Sequence, residues 1–117
     1  MPSKNPAQRL RDIIDNIDAI AAFTAQLDFP SFRMDRKTVY AVVRALEIVS
    51  EASRRLPGEL LSRHPEIDWT AIAAAGNVYR HEYEAVDEVL IWHTVRHDLA
   101  ALRDAAIAEF DRLQSAP

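Results

Sequence analysis

The stretch DRKTVYAVVRALEIVSEASRRL, residues 35–56, reads as one amphipathic helix, and that reading decides the fold. Asp35 supplies a side-chain oxygen that can cap the first free N–H groups. Behind it Val39, Val42, Val43, Leu46, Val49, Ser53 and Leu56 recur at spacings of three and four, which places them on one face. Glu47 and Glu51 stand one turn apart, each within helical reach of Arg44, Arg54 or Arg55. Such pairs on a solvated face contribute about 0.2–0.5 kcal/mol each, and their simplest reading is surface ion pairing. Pro57-Gly58 then ends the helix.

Working outward, the segment before it repeats the pattern. Asn5 can cap, Pro6 suits the first helical position and Gln8 can reach back to the cap. Leu10, Ile13, Ile14, Ile17, Ile20, Thr24 and Leu27 make the apolar stripe of a first helix, and Pro30 with its neighbours ends it. On the other side, Glu59 to Asp68 is a short connector with room for a helical turn at Leu60-Leu61, and Pro65 bars anything longer. Asp68 caps a third helix from Trp69 through about Tyr83, with Trp69 and Ile72 as core positions. Ala71, Ala73, Ala74 and Ala75 give it a thin wall that lets another helix come close. Asp87 and Glu88 restart the chain as cap and first-turn acid. The fourth helix runs to about Gln114 on Ile91, Val95, Leu99, Leu102, Ala106, Phe110 and Leu113, with Trp92 beside the stripe. Helices of this length joined by short turns predict an all-α, antiparallel four-helix bundle, a single domain over residues 1–117, with the connector between helices two and three.

Composition bounds the chemistry. The 117 residues carry a formal net charge of −4, which argues against sequence-blind binding along a nucleic-acid backbone but leaves room for a local phosphate site. There is no cysteine, so disulfides and thiolate chemistry are excluded and a reducing cytoplasm is permitted. Met1 to Arg11 is polar, without the apolar centre of a signal peptide. No apolar run approaches the roughly 20 residues that span a bilayer.

One octet looks built for chemistry: Gly76-Asn77-Val78-Tyr79-Arg80-His81-Glu82-Tyr83. At about 100° per residue, Gly76, Arg80 and Tyr83 share a narrow stripe with Tyr79 at its edge, and Asn77 and His81 pair one turn apart. Glycine inside a helix costs roughly 1 kcal/mol relative to alanine, so its presence suggests a close neighbour, either a second helix or a ligand. A histidine can titrate near neutral pH, so His81 could serve as general base or acid. Arg80 offers a planar donor fork for a phosphate, and Tyr83 a hydroxyl. The same residues also fit a structural role, with Arg80 paired to Glu82 or Glu84 and the tyrosines at a helix-packing boundary.

His93 and His97, spaced i and i+4, are a second candidate because that is metal-ligand spacing. Thr94 stands where the strong zinc signature has Glu, and no third ligand is evident in the sequence, so two surface histidines are the simpler reading. His64 before Pro65 reads as a loop residue with no visible partner.

An ordered set of motifs spans nearly the whole chain. It comprises Arg44-Ala45-Leu46-Glu47-Ile48-Val49-Ser50-Glu51-Ala52, then His64-Pro65 and Trp69, then the octet, then Val86-Asp87, Ile91-Trp92 and Asp98-Leu99. In this set the chain resembles the HepT-like branch of the HEPN domains. The resemblance implies a helical bundle that forms a homodimer. It implies a metal-independent endoribonuclease acting on RNA without a cofactor, typically the toxin of a toxin–antitoxin pair. It also implies a minimal nucleotidyltransferase (MNT) as antitoxin, which attaches AMP to the motif tyrosine. The family motif is Arg, four residues, His, one residue, Tyr. His81 and Tyr83 match it, while Gly76 stands at the Arg position. Arg80, about 40° round and about 6 Å along a helix from Gly76, is the candidate substitute. Asn77 is the motif's polar residue, Tyr83 the expected AMP acceptor and Tyr79 its rival. The alternative reading is a catalytically weak or inactive HEPN protein that serves as a dimeric binding subunit for a minimal nucleotidyltransferase.

Overall fold

Three side-chain stripes meet in the core of the chain, and the elements follow from them. The structure is a computed structural model that describes residues 6–74 and 88–115. It is all-α, an antiparallel helical bundle of the expected four-helix kind, with two further short helices. In chain order these are α1 (Ala7–Thr24), α2 (Phe29–Met34), α3 (Arg36–Arg54), α4 (Gly58–Ser62), α5 (described over 69–74), α6 (Glu88–His97) and α7 (Leu99–Ser115).

Helix α1 lies against α3 on one side and α7 on the other. Its buried residues, Leu10, Ile13, Ile17, Ile20 and Thr24, are five of the seven in the expected stripe, while Ile14 is half-buried and Leu27 lies past the helix end. Thr24 hides its hydroxyl by donating to the Ile20 carbonyl at 2.9 Å. Opposite it, α3 buries Val39, Val42, Leu46, Val49 and Ser53, with Val43 half-buried at the margin. Each fully buried aliphatic side chain contributes about 1.5–3 kcal/mol. The α1–α7 pair is antiparallel: the Asp18 carboxylate holds Arg103 at 2.6 and 3.2 Å, and the Arg11 guanidinium lies 5.5 Å from the Phe110 ring centre.

The two ends of the first helix depart from expectation. Pro30 does not end the first helix. That helix stops at Thr24, and Pro30 occupies the first turn of a separate helix, α2, where the missing N–H is no loss. Asp28 caps α2 in a reciprocal box with Ser31: its carboxylate accepts from Ser31 N at 3.0 Å, and Ser31 Oγ accepts from Asp28 N at 3.1 Å. Gln8 does not turn back toward a cap. Its amide donates to Asp12 one turn ahead at 2.9 Å, while Asn5 lies outside the described residues. The cap at Asp35 is as expected, with Oδ1 accepting from Thr38 N at 3.2 Å and Oδ2 from Thr38 Oγ1 at 2.8 Å.

The fourth helix is divided at Asp98. The hydrogen bond from Asp98 N to Thr94 O, 3.0 Å, crosses the junction, so α6 and α7 follow one another with a local break. Asp is among the poorer helix formers. α6 is held to the α1–α2 end by aromatic packing, with the Trp92 ring centre 4.9 Å from Phe32 and 6.3 Å from Phe29. Arg96 stacks over Trp92 at 4.4 Å and donates to the Leu27 carbonyl at 3.0 Å.

On α7 the buried face is Leu99, Leu102, Ala105, Ala106 and Glu109. The expected Phe110 is half-buried and Leu113 exposed. Glu109 is only 5% exposed, and its burial is met by the connector. Arg63 forms a two-pronged pair with it, at 2.6 Å from Nη2 and 3.1 Å from Nε. His64 Nε2 sits 2.7 Å from Oε2 of the same carboxylate, with Nδ1 3.5 Å from Glu66. His64 therefore has a partner, contrary to the sequence reading, and that partner lies 45 residues away. The Arg63 hydrogen bond, aided by His64, draws the Glu109 carboxyl down from 4.5 to about 2 against the effect of burial.

That shift fixes a pH dependence. Because the folded-state pKa is depressed, the contribution is fully present above about pH 4.5 and is lost as pH falls through about 2. A shift of this size corresponds to about 3 kcal/mol. Denaturant unfolding between pH 7 and pH 2 is expected to show Glu109→Gln less stable than wild type by about 1–3 kcal/mol at pH 7. The two proteins are expected to converge toward pH 2. A constant difference across the range would contradict the assignment.

Candidate functional site

The octet begins two residues after the last described residue of α5, so what holds α5 is what the structure describes nearest to it in the chain. Asp68 caps it as expected, accepting from Ala71 N at 3.0 Å through Oδ1, while its carbonyl accepts from Ile72 N at 3.1 Å. The Trp69 indole N–H is shared between the carbonyls of Leu61 and His64, each at 3.1 Å. Trp69 and Ile72 are half-buried against the core. Ser50, in the middle of α3 and 1% exposed, donates its hydroxyl to the Ala73 carbonyl at 2.8 Å. The described turns of α5 are thus fixed at the cap, at the indole and at Ala73.

The predicted site residues themselves, Gly76, Asn77, Tyr79, Arg80, His81 and Tyr83, lie outside the described residues.

Two grooves border the elements that carry the family-like motifs. A groove of about 420 Å³ runs between α1 and α3, lined by Arg9, Asp12, Arg44, Glu47, Ile48 and Glu51. Its charges largely answer one another. Arg44 lies 3.8 Å from Glu47, and Glu51 accepts from Arg55 at 3.0 Å and also holds Arg54. Those two arginines keep the Glu51 carboxyl below its ordinary range. The ion-pair reading of Glu47 and Glu51 therefore holds. A second groove, about 260 Å³, lies where α5 and the connector face the α6–α7 junction, and Glu66, Asp68, Asp98 and His97 line it. Neither groove presents a bare basic face to a polyphosphate backbone.

His93 and His97 stack with ring centres 4.5 Å apart on the exposed side of α6. Among the described residues no group of three His, Cys, Asp or Glu side chains could hold a metal ion. The sequence reading missed the Arg63–His64–Glu109 cluster. Its one signal was a glutamate three residues after Ala106 on an apolar helix face, since a charge there must find a partner.

Comparisons with known proteins bear on this arrangement. The family described as Ribonuclease HepT-like matches residues 13–108, a span that contains α3, the connector, α5, the octet and α6. A protein of Thermococcus cleftensis named "Probable ribonuclease HepT" is 38% identical over 105 residues, covering 90% of this chain and 92% of the relative. A protein of Methanocaldococcus jannaschii with a provisional RNase designation is 34% identical over 95 residues, covering 81% of this chain and 78% of its own. A Caldanaerobacter subterraneus protein similarly designated is 30% identical over 99 residues, covering 85% and 88%. No solved structure matches the chain. By the family match and the full-length likeness together, the chain belongs to the HepT-like ribonuclease family.

Proposed function

We propose that the chain is a metal-independent endoribonuclease that acts as a homodimer, the toxin of a toxin–antitoxin pair. The observation that carries this reading is the family match across residues 13–108, a span that contains His81 and Tyr83. Cleavage proceeds by attack of an RNA 2′-hydroxyl oxygen on the adjacent phosphorus. A bond from O2′ to phosphorus forms and the bond from phosphorus to O5′ breaks. His81 takes the proton from the 2′-hydroxyl. One histidine does not conveniently supply both transfers, and a two-fold dimer presents the same segment twice across one interface. The partner subunit's His81 then gives a proton to the leaving O5′. The products are a 2′,3′-cyclic phosphate and a 5′-hydroxyl end.

Arg80 holds the non-bridging oxygens in place of the motif arginine, reaching over Gly76 where no side chain stands in the way. Asn77 orients His81 or the phosphate. The acidic balance of the chain, −4 in formal charge, agrees with recognition through such a local site. The activity is silenced when a minimal nucleotidyltransferase transfers AMP from a nucleoside triphosphate to the Tyr83 hydroxyl, releasing pyrophosphate; Tyr79 is the rival acceptor. The cytoplasm is the compartment this pairing requires. Among the described residues no helix is long and apolar enough to cross a membrane.

Gly76 at the motif arginine position favours a second reading, a weak or inactive dimer that serves as a binding subunit for the nucleotidyltransferase. Cleavage of a labelled mixed-sequence RNA in EDTA separates the two. His81→Ala is expected to abolish cleavage, and Arg80→Ala to reduce it by about 10²-fold or more, the worth of one preorganised donor at a developing charge. Full activity in Arg80→Ala would rule out the substitution. Absence of cleavage by unmodified wild type would favour the binding subunit.

The acceptor is tested separately. Tyr83→Phe is expected to leave the circular dichroism and the dimer unchanged while preventing attachment of AMP by the nucleotidyltransferase. A modified peptide still found in that variant by mass spectrometry, at Tyr79 for example, would refute Tyr83.

A further inference from the structure

The junction of α2 and α3 carries the densest run of cations in the chain. Residues 33–44, RMDRKTVYAVVR, hold four Lys or Arg against one Asp, although the whole chain is −4. A single residue joins the two helices. Asp35 closes α2, its N–H donating to the Phe32 carbonyl at 3.0 Å, and caps α3. Arg33 in the last turn of α2 is thereby held at the same end as Arg36 and Lys37 in the first turn of α3. At about 100° per residue, Arg36, Lys37, Tyr40 and Arg44 fall within an arc of about 100° and span about 12 Å of the axis. That arc lies opposite the face that buries Val39, Val42 and Leu46, and all four of its residues are exposed.

These cations differ from the others on the bundle in their surroundings. Arg54, Arg55, Arg63 and Arg103 each meet a carboxylate. Among the described residues, Arg33, Arg36 and Lys37 form no ion pair. Asp35, the one acid of the stretch, commits its carboxylate to the cap, accepting from Thr38 N and Oγ1. Arg44 marks the margin, 3.8 Å from Glu47. Arg36 holds an aromatic ring instead of an acid. Its Nη2 donates to the Tyr40 hydroxyl at 2.6 Å, and the guanidinium lies 5.5 Å from the ring centre. Tyr40 is still 60% exposed, and Met34, beside Arg33 in the chain, is 82% exposed.

Single-stranded nucleic acid is bound by this combination, cations along the phosphates and an aromatic ring on which a base stacks. We infer that the α2–α3 face is a binding site for single-stranded RNA, with Arg33, Arg36 and Lys37 on phosphates and Tyr40 against a base. A second copy of this chain fits the face less well, because a two-fold contact centred there would set like charges opposite one another. The inference rests on the ribonuclease reading and adds to it a surface, outside the motif, that holds the substrate strand. It also reconciles an acidic chain with an RNA substrate, since the attraction is confined to one face.

The test uses the full-length protein carrying His81→Ala, in EDTA, so that binding is read without cleavage. The probe is a fluorescein-labelled, mixed-sequence single-stranded RNA, followed by anisotropy over a range of salt. Against that parent, the triple variant Arg33→Ala, Arg36→Ala, Lys37→Ala is expected to bind about 10²-fold more weakly at about 0.1 M salt. Its plot of log affinity against log salt is expected to flatten by about 2, three phosphate contacts at about 0.7 each. Tyr40→Ala is expected to weaken binding about five- to 150-fold at unchanged slope, and Tyr40→Phe, which keeps the ring, to bind like the parent. Arg103→Ala removes a cation already held by Asp18 and is expected to leave the slope as it was.

An unchanged slope in the triple variant, an equal loss in Arg103→Ala, or a parent that binds no RNA would overturn the inference. So would a triple variant that binds RNA like the parent yet no longer dimerises in light scattering or no longer binds the nucleotidyltransferase, since the face would then serve a protein. The substituted side chains are exposed, so the circular dichroism is expected to be unchanged. If the triple variant does not fold, Tyr40→Ala against Tyr40→Phe decides. If wild type cleaves no RNA, the ribonuclease reading fails by itself. The salt titration then still upholds the site by a flattened slope or overturns it by an unchanged one.

Discussion

Glu109 is a carboxylate on the buried face of a helix, and the connector is shaped around its needs. An unpaired charge in that position would cost several kcal/mol. Arg63 and His64 meet it from one short segment, and the guanidinium does so with two parallel bonds. Once those two residues are fixed, the carbonyl of His64 and that of Leu61 converge on the Trp69 indole, and Asp68 is placed to cap α5. The position of the helix that leads into the octet therefore depends on a salt bridge to the last helix of the chain. The desolvation of Glu109 is offset only while that geometry holds, which couples the connector to the bundle.

The rest of the bundle works by simpler means. α1 is the central helix, apolar toward both α3 and α7, and the short helix α2 closes its end through Phe29 and Phe32 against Trp92. The surface pairs, Arg44 with Glu47 and Glu51 with Arg54 and Arg55, contribute little stability by comparison. They do, however, set carboxylates beside Arg44, Arg54 and Arg55, and the proposed chemistry accordingly rests on a local donor, Arg80.

Much of this was legible before any coordinates. Asp35 and Asp68 announce helix starts because a short acceptor side chain precedes an apolar stripe, and both caps form. The α1 and α3 stripes were readable because a three-four spacing leaves one buried face. Pro30 misled because proline is compatible with a first turn as well as with a stop, and only the Asp28–Ser31 pair, two residues before it and one after, distinguishes them. Asp98 was hidden inside a periodic stripe that continues on both sides of the break. Glu109 and His64 could not be paired, since residues 45 apart meet only through the fold. The octet drew attention through its residue types, their helical spacing and the family motif, and all eight of its residues lie outside what the structure describes.

The account turns on whether this chain breaks RNA by internal attack of the 2′-hydroxyl with no metal. The direct measurement is the end chemistry of the fragments that purified, unmodified wild-type protein produces in EDTA, read by mass spectrometry. The account predicts 2′,3′-cyclic phosphate on one side of the cut and 5′-hydroxyl on the other. Fragments bearing 5′-phosphate, or RNA left intact until a divalent ion is added, would contradict it.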